Sequence, residues 1–226
     1  MRLTIILLLL NLPVLADEFE WQKQMVKDDI TIEVRKVPGT KYREFRAVVD
    51  LKAKAAHAVA LLQDNAACSQ WVHRCVSSEV IEAVSNTERY FHQITSLPFP
   101  ARSRDAVFHG SIHFEPDQRI TIMVTSAHDR LPTMKHVRIT EAHGFYHIDP
   151  ISEDSIRLTW RLYVDPAGAL PAFLVNSLVT DLPFQSLSAF RELVKQPPYN
   201  QATFLYDAYG APVNISFISD YQSDDK

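Results

Sequence analysis

The chain has 226 residues, 46% of them hydrophobic and 22% charged, with a net charge of −4. That apolar content is enough for one sizeable core, and the lack of a basic excess argues against a nucleic-acid partner. Two cysteines, five scattered glycines and no internal repeat exclude a disulfide-dense scaffold, a phosphate-cradling glycine loop and a repeat array.

The chain opens on Met1-Arg2, an apolar run from Leu3 to Leu10, then Val14-Leu15-Ala16 before acidic Asp17-Glu18. This three-part pattern reads as a secretory signal peptide over residues 1–16. An uncleaved anchor is the rival, but Asn11 and Pro13 interrupt a run already shorter than the roughly 20 residues a bilayer requires. The expected location is therefore exported, periplasmic or secreted. Without those sixteen residues the 226-residue chain keeps 210, divided here into one domain over 17–197 and a tail over 198–226.

Ile30, Ile32 and Val34 alternate with polar residues, Pro38-Gly39 turns, and Phe45 to Leu51 alternates again, which predicts a hairpin. Lys52 to Asn65 is rich in Ala, Leu and Lys and predicts a helix. Strands are expected over Val76–Val84, Arg89–Thr95, Ala106–Phe114 and Ile120–Ser126, with weaker alternation over Val137–Ala142 and Gly144–Ile148. Ile156 to Val164 closes the series. From about Pro171 to Val194 apolar residues recur at helical spacing, with Pro183 expected to kink or divide the helix. Beyond Pro197-Pro198 the polar, aromatic-dotted tail is expected to be surface-bound or partly disordered.

Cys68 and Cys75 lie seven apart. In one unbroken helix that spacing holds the sulfurs too far apart to bond. If Ser69-Gln70-Trp71 ends a helix and leads into a loop, a short bridge closes, as an oxidising compartment favours. Two buried thiols are the alternative.

Two motifs in order carry the family signal: Pro100-Ala101-Arg102-Ser103-Arg104-Asp105 opening a strand, and Val164-Asp165-Pro166-Ala167-Gly168-Ala169-Leu170-Pro171 joining a strand to the terminal helix. The pattern resembles a START (steroidogenic acute regulatory protein-related lipid transfer) domain over roughly Phe19 to Pro197. The resemblance implies an α+β helix-grip fold, in which a curved antiparallel sheet wraps a long C-terminal helix and leaves an internal apolar cavity. It also implies that Arg104 faces inward, where a carboxylate such as Glu82 or a ligand headgroup pairs with it. A salt bridge that pins the start of the strand is the structural rival for the same residue.

Trp71, Phe91, Phe108 and Trp160 are then candidate cavity walls, with Leu178, Val179 and Leu182 closing the far side from the helix. The expected partner is a lipid or similar hydrophobic small molecule, bound without cofactor or covalent chemistry and exchanged by transient contact with a membrane surface. The segment at Gly168 and the helix after Pro171 are the candidate gate. An enzyme of cyclase or hydrolase type acting in the same cavity is the alternative, with His109, His143, Asp105 or Glu82 as acid or base. A third reading makes the tail after Pro197 an interaction module. Metal chelation has little support. His109/His113 and His143/His147 are four apart on strand-like segments, so each pair is separated by about 13 Å.

Overall fold

The computed structural model describes residues 20–133, 135–168 and 170–216, so the expected leader and the end of the tail lie outside the described residues. Strands β1 (Gln22–Lys27), β2 (Ile30–Lys36) and β3 (Arg43–Leu51) form a meander. Helix α1 (Ala55–Gln63), a 3-10 turn and the one-turn helix α2 (Cys68–Trp71) follow. Next come β4 (Cys75–Ala83), β5 (Glu88–Thr95), β6 (Arg104–Phe114), β7 (Ile120–Ser126), β8 (Val137–Ile139), β9 (Glu141–Ser152) and β10 (Ser155–Asp165). The long helix α3 (Ala172–Leu193) completes the main body.

The strands run in the order β1-β2-β3-β10-β9-β7-β6-β5-β4, and short β8 adds to β6 in parallel through Arg104↔Val137, Asp105↔Arg138 and Ala106↔Ile139. All the pairs along the main path are antiparallel. Because β10 pairs with β3, the last strand joins the first three to the rest of the sheet and delivers the chain to α3.

Period-two alternation sets which face is dry. Ile30, Ile32 and Val34 on β2 and Phe45, Ala47 and Val49 on β3 are buried, and with Leu158 and Trp160 they pack against α3. On α3 the buried residues of this core, Phe184, Leu187 and Phe190, all follow Pro183. Fully burying each such side chain stabilises the fold by about 1.5–3 kcal/mol. Pro183 does not divide the helix, although lacking an N–H it leaves the Val179 carbonyl without its intrahelical donor. Among the described residues, no helix is long and apolar enough to cross a membrane.

Two elements differ from the sequence expectation. Strand β1 was not anticipated because an edge strand of sequence Gln-Lys-Gln-Met-Val-Lys, almost wholly exposed, carries no alternation. Its signal is the two-residue turn Asp28-Asp29, with φ of 50° and 59°, since paired left-handed residues are what a tight hairpin requires. The tail, expected to be surface-bound or partly disordered, folds after Pro198 into a 3-10 turn and the hairpin β11 (Thr203–Tyr206) and β12 (Pro212–Ser216). Asp207 Oδ1 accepts the N–H groups of Tyr209 and Ala211, and Gly210 supplies the left-handed turn residue at φ +81°. Ile215 is buried in the main core with Phe204 packed on it, and Phe204 meets Phe114 edge-on at 5.8 Å. Phe204 and Ile215 thus give this segment a packing role, while Tyr206 and Tyr209 stay exposed.

Candidate ligand cavity

Between the inner face of the sheet, the α1–α2 corner and α3 lies a cavity of about 140 Å³. The Cys68–Cys75 disulfide builds one side of it. With Cα atoms 6.0 Å apart, it ties the start of α2 to the start of β4 and closes the segment that carries Trp71. Of the two states open in the sequence, the bridged one is therefore found. Helix α2 ends at Trp71, so the two cysteines are not on one helix and the spacing objection does not apply.

Trp71 is buried and packs edge-on to Phe190 at 5.0 Å, with Trp160 at 6.3 Å and Tyr146 at 6.5 Å. Tyr146 stacks on Trp160 at 5.2 Å, and Phe91 leans on Phe108 across β5–β6 at 5.3 Å. Such contacts make a stiff aromatic wall. The Trp71 indole N–H is buried and has no acceptor among the described residues. Burial pushes the Tyr146 phenol well above its ordinary value, so it stays neutral. Glycine shapes this wall as well. A Cβ on Gly144, which lines the cavity, would come 2.3 Å from the Arg161 carbonyl oxygen.

One end of the cavity is polar. Asp64, Asn65, Ser78, Thr87, Arg89 and Gln93 line it. Arg89 donates to the Gln63 carbonyl at 2.8 Å and, among the described residues, makes no ion pair. Burial holds its guanidinium below the ordinary arginine value, against the opposing pull of Asp64. Asp64 itself is engaged: one oxygen accepts the Ala67 N–H at 3.2 Å and the other the Tyr199 hydroxyl at 2.7 Å. Burial, then Asp64, raises the Tyr199 phenol far above its usual range.

Of the eight residues expected at the site, Trp71, Phe91, Phe108, Trp160 and Leu182 line the cavity. Val179 packs against the core instead, and Leu178 is half-buried outside the lining. Arg104 does not line it either. The Arg104 guanidinium is buried, and each of its three nitrogens donates to a backbone carbonyl: Pro166 at 2.7 Å, Ala167 at 3.0 Å and Arg102 at 2.5 Å. Glu82 is not its partner; that carboxylate lies on β4 beside Arg130 at 3.4 Å. Arg104 pins the segment before α3, and it does so through backbone carbonyls rather than the salt bridge of the structural alternative. The register explains why Arg89, Gln93 and Ser78 were missed. Arg89 and Gln93 share the face of Phe91 by simple alternation, but Arg104 drew the attention because it sits in a motif.

The residues named for an enzyme lie elsewhere. Asp105 is on the opposite face of β6 from Phe108, buried against Arg138 at 2.7 Å and His92 at 3.1 Å. His109 meets Glu88 at 2.7 Å, and His143 lies against the Tyr163 ring at 5.1 Å. None of Asp105, Glu82, His109 or His143 lines the cavity. Among the described residues no group of three His, Cys, Asp or Glu side chains is placed to hold a metal ion.

The sheet order, the terminal helix and the cavity between them agree with the family model of the START domain, which matches residues 7–198. The chain belongs to the START domain family. A STAR-related lipid transfer protein of Xanthomonas axonopodis is 35% identical with a TM-score of 0.73, over 78% of this chain and 99% of that one. Human STARD10, at 19% identity, shares the fold with a TM-score of 0.70, over 80% of this chain and 76% of that one. An uncharacterized protein of Pseudomonas aeruginosa is 24% identical over 178 residues, 78% of this chain and 88% of that one. In this START domain the β11–β12 hairpin falls beyond the span of the family match.

Proposed function

We propose that this START domain binds a lipid-like molecule in the cavity by burial alone, without covalent chemistry, and passes it between membrane surfaces. The observation that carries the reading is the aromatic wall of Trp71, Phe91, Phe108 and Trp160 facing a mainly apolar space with a polar end. Removing ten methylenes from water supplies roughly 8 kcal/mol of gross affinity before the costs of ordering. The acids and bases named for the enzyme alternative, Asp105, Glu82, His109 and His143, do not line the cavity.

At about 140 Å³ the cavity is smaller than the roughly 300–1,000 Å³ of most small-molecule pockets, so loading requires it to open. The part of α3 before Pro183, which reaches the cavity through Leu182, is the moving wall. Its C-terminal part is fastened by Phe184, Leu187 and Phe190, and Pro183 removes a hydrogen bond at the junction. Phe99 on the β5–β6 loop is 97% exposed and Phe173 at the start of α3 is 77% exposed. Their neighbours Leu97, Ala101, Leu170 and Leu174 pack in one cluster, so the two rings stand on adjoining segments. Two exposed aromatic rings beside the moving wall suit insertion into a lipid surface. The N-terminal pattern of residues 1–16 and the Cys68–Cys75 bridge support export to a periplasmic or extracellular space.

The test is to express the chain from Asp17 onward and weigh it by native mass spectrometry, then titrate fluorescent lipid analogues. A bound apolar mass and saturable binding are expected; no bound mass together with no binding overturns the reading. For transfer, changing both Phe99 and Phe173 to Ser should slow vesicle-to-vesicle exchange while leaving affinity intact.

A further inference from the structure

The polar end of the cavity is built for a charge it does not itself contain. Arg89 alternates with Phe91 and Gln93 along β5, so its side chain rises from the same sheet face as the aromatic wall. Its neighbour across β5–β6 is Gly110, which places no side chain beside the guanidinium. One N–H group meets the Gln63 carbonyl, and no carboxylate among the described residues pairs with the rest. The nearest counter-charge, Asp64, has each of its oxygens occupied by another donor.

Extending the lipid-burial reading, on which this inference rests, we propose that the cavity selects an amphipath with a single anionic headgroup, carboxylate or phosphate. The headgroup sits at Arg89, and the chain lies along Phe91, Phe108 and Trp160. A guanidinium fork suits both oxyanions because it presents parallel N–H groups at their spacing. A neutral headgroup leaves those donors unmatched in a site that burial has already dried.

The experiment measures affinities of decanoate, decyl phosphate and decan-1-ol, near neutral pH, for the chain from Asp17 onward and for its Arg89→Gln variant. Wild type is expected to bind at least one anion about tenfold more tightly than the alcohol, the fold-change a charge-assisted hydrogen bond supplies. Arg89→Gln should erase that preference. Which of the two anions gains distinguishes a fatty-acid-like from a phospholipid-like headgroup. Equal binding of the alcohol and both anions by wild type overturns the headgroup assignment while the apolar-cavity reading stands. A preference that survives Arg89→Gln overturns it too. Failure of all three probes to bind removes both readings together. Should Arg89→Gln not fold, Arg89→Met and the wild-type comparison decide: the preference must be present in wild type and lost in Arg89→Met, and its absence or full persistence counts against the proposal.

Discussion

Arg104 is where stability and binding make opposite predictions. It is 5% exposed, and its guanidinium makes no ion pair among the described residues, only hydrogen bonds to the carbonyls of Pro166, Ala167 and Arg102. Two of those bonds cross from β6 to the turn before α3, where Ala167 and Gly168 hold φ of 53° and 68°. A hydrogen bond from a charged donor contributes about 1.5–3 kcal/mol, so losing both cross-segment bonds should cost about 3–6 kcal/mol. At about 2–4 °C per kcal/mol for a domain of this size, Arg104→Gln should lower Tm by about 6–24 °C. Arg104→Lys should recover only part of this, because an ammonium is a point charge and cannot span the same carbonyls as a planar fork. Thermal unfolding followed by circular dichroism measures the shift, and titration of the same samples with a fluorescent lipid analogue measures binding. An unchanged Tm with binding abolished would refute the reasoning and return Arg104 to the role of headgroup ligand.

Gly144→Ala should destabilise the domain by about 1–3 kcal/mol or more, read by thermal unfolding, because the added Cβ collides with the Arg161 carbonyl oxygen and Leu162. Opening the Cys68–Cys75 bridge, by reduction or by paired Ser substitution, should cost about 2 kcal/mol for so short a loop, measured by denaturant unfolding with and without reductant. Leu182→Gln should weaken lipid binding with Tm close to wild type, whereas Leu178→Gln, outside the lining, should leave binding intact; the reverse order would remove Leu182 from the wall. Stability should decline in two stages as pH falls. Burial holds His57, His73 and His147 below the ordinary imidazole value of 6.5, so their contribution, present above that value, is lost as pH drops through their folded pKa values. For Asp105, burial raises the carboxyl, but Arg138 and His92 together outweigh it and hold the group below 3.8. Its contribution is present above that value and lost as pH falls through the folded pKa, and Asp105→Asn should remove this second stage from the profile.

Much of the fold was legible because most strands alternate between a dry and a wet face, as β2, β3 and β10 do. The chain order of the Arg104-Asp105 and Asp165-Pro166 motifs then named the architecture. What was not legible had weak or ambiguous patterns. The exposed edge β1 has no buried side to imprint a period, and the terminal hairpin sets Phe204 against Phe114, a contact remote in sequence. The site divided along the same line. Trp71, Phe91, Phe108, Trp160 and Leu182 were accessible as large apolar residues on the right elements. Arg104 was misplaced because a buried arginine reads the same from sequence whether a ligand or three carbonyls satisfy it. Only the position of Pro166 and Ala167 in space decides between them.

The arrangement separates what must stay rigid from what must move. Trp71 is held by the disulfide behind it and by Phe190 and Trp160 beside it, and Phe190 belongs to the fastened part of α3. Asp64 is tied to Tyr199, just beyond α3, so the polar end is braced by the chain that follows the helix. Under the proposed function, opening falls to the segment between Arg104's carbonyl partners and Pro183, which in α3 buries only Val175 among its described apolar side chains and carries Phe173 on its surface. A ligand would then enter past the early turns of α3 without disturbing the aromatic wall or Arg89. On that proposal Arg104 is the fixed point from which the segment swings, so a residue outside the cavity should still govern how readily the cavity fills.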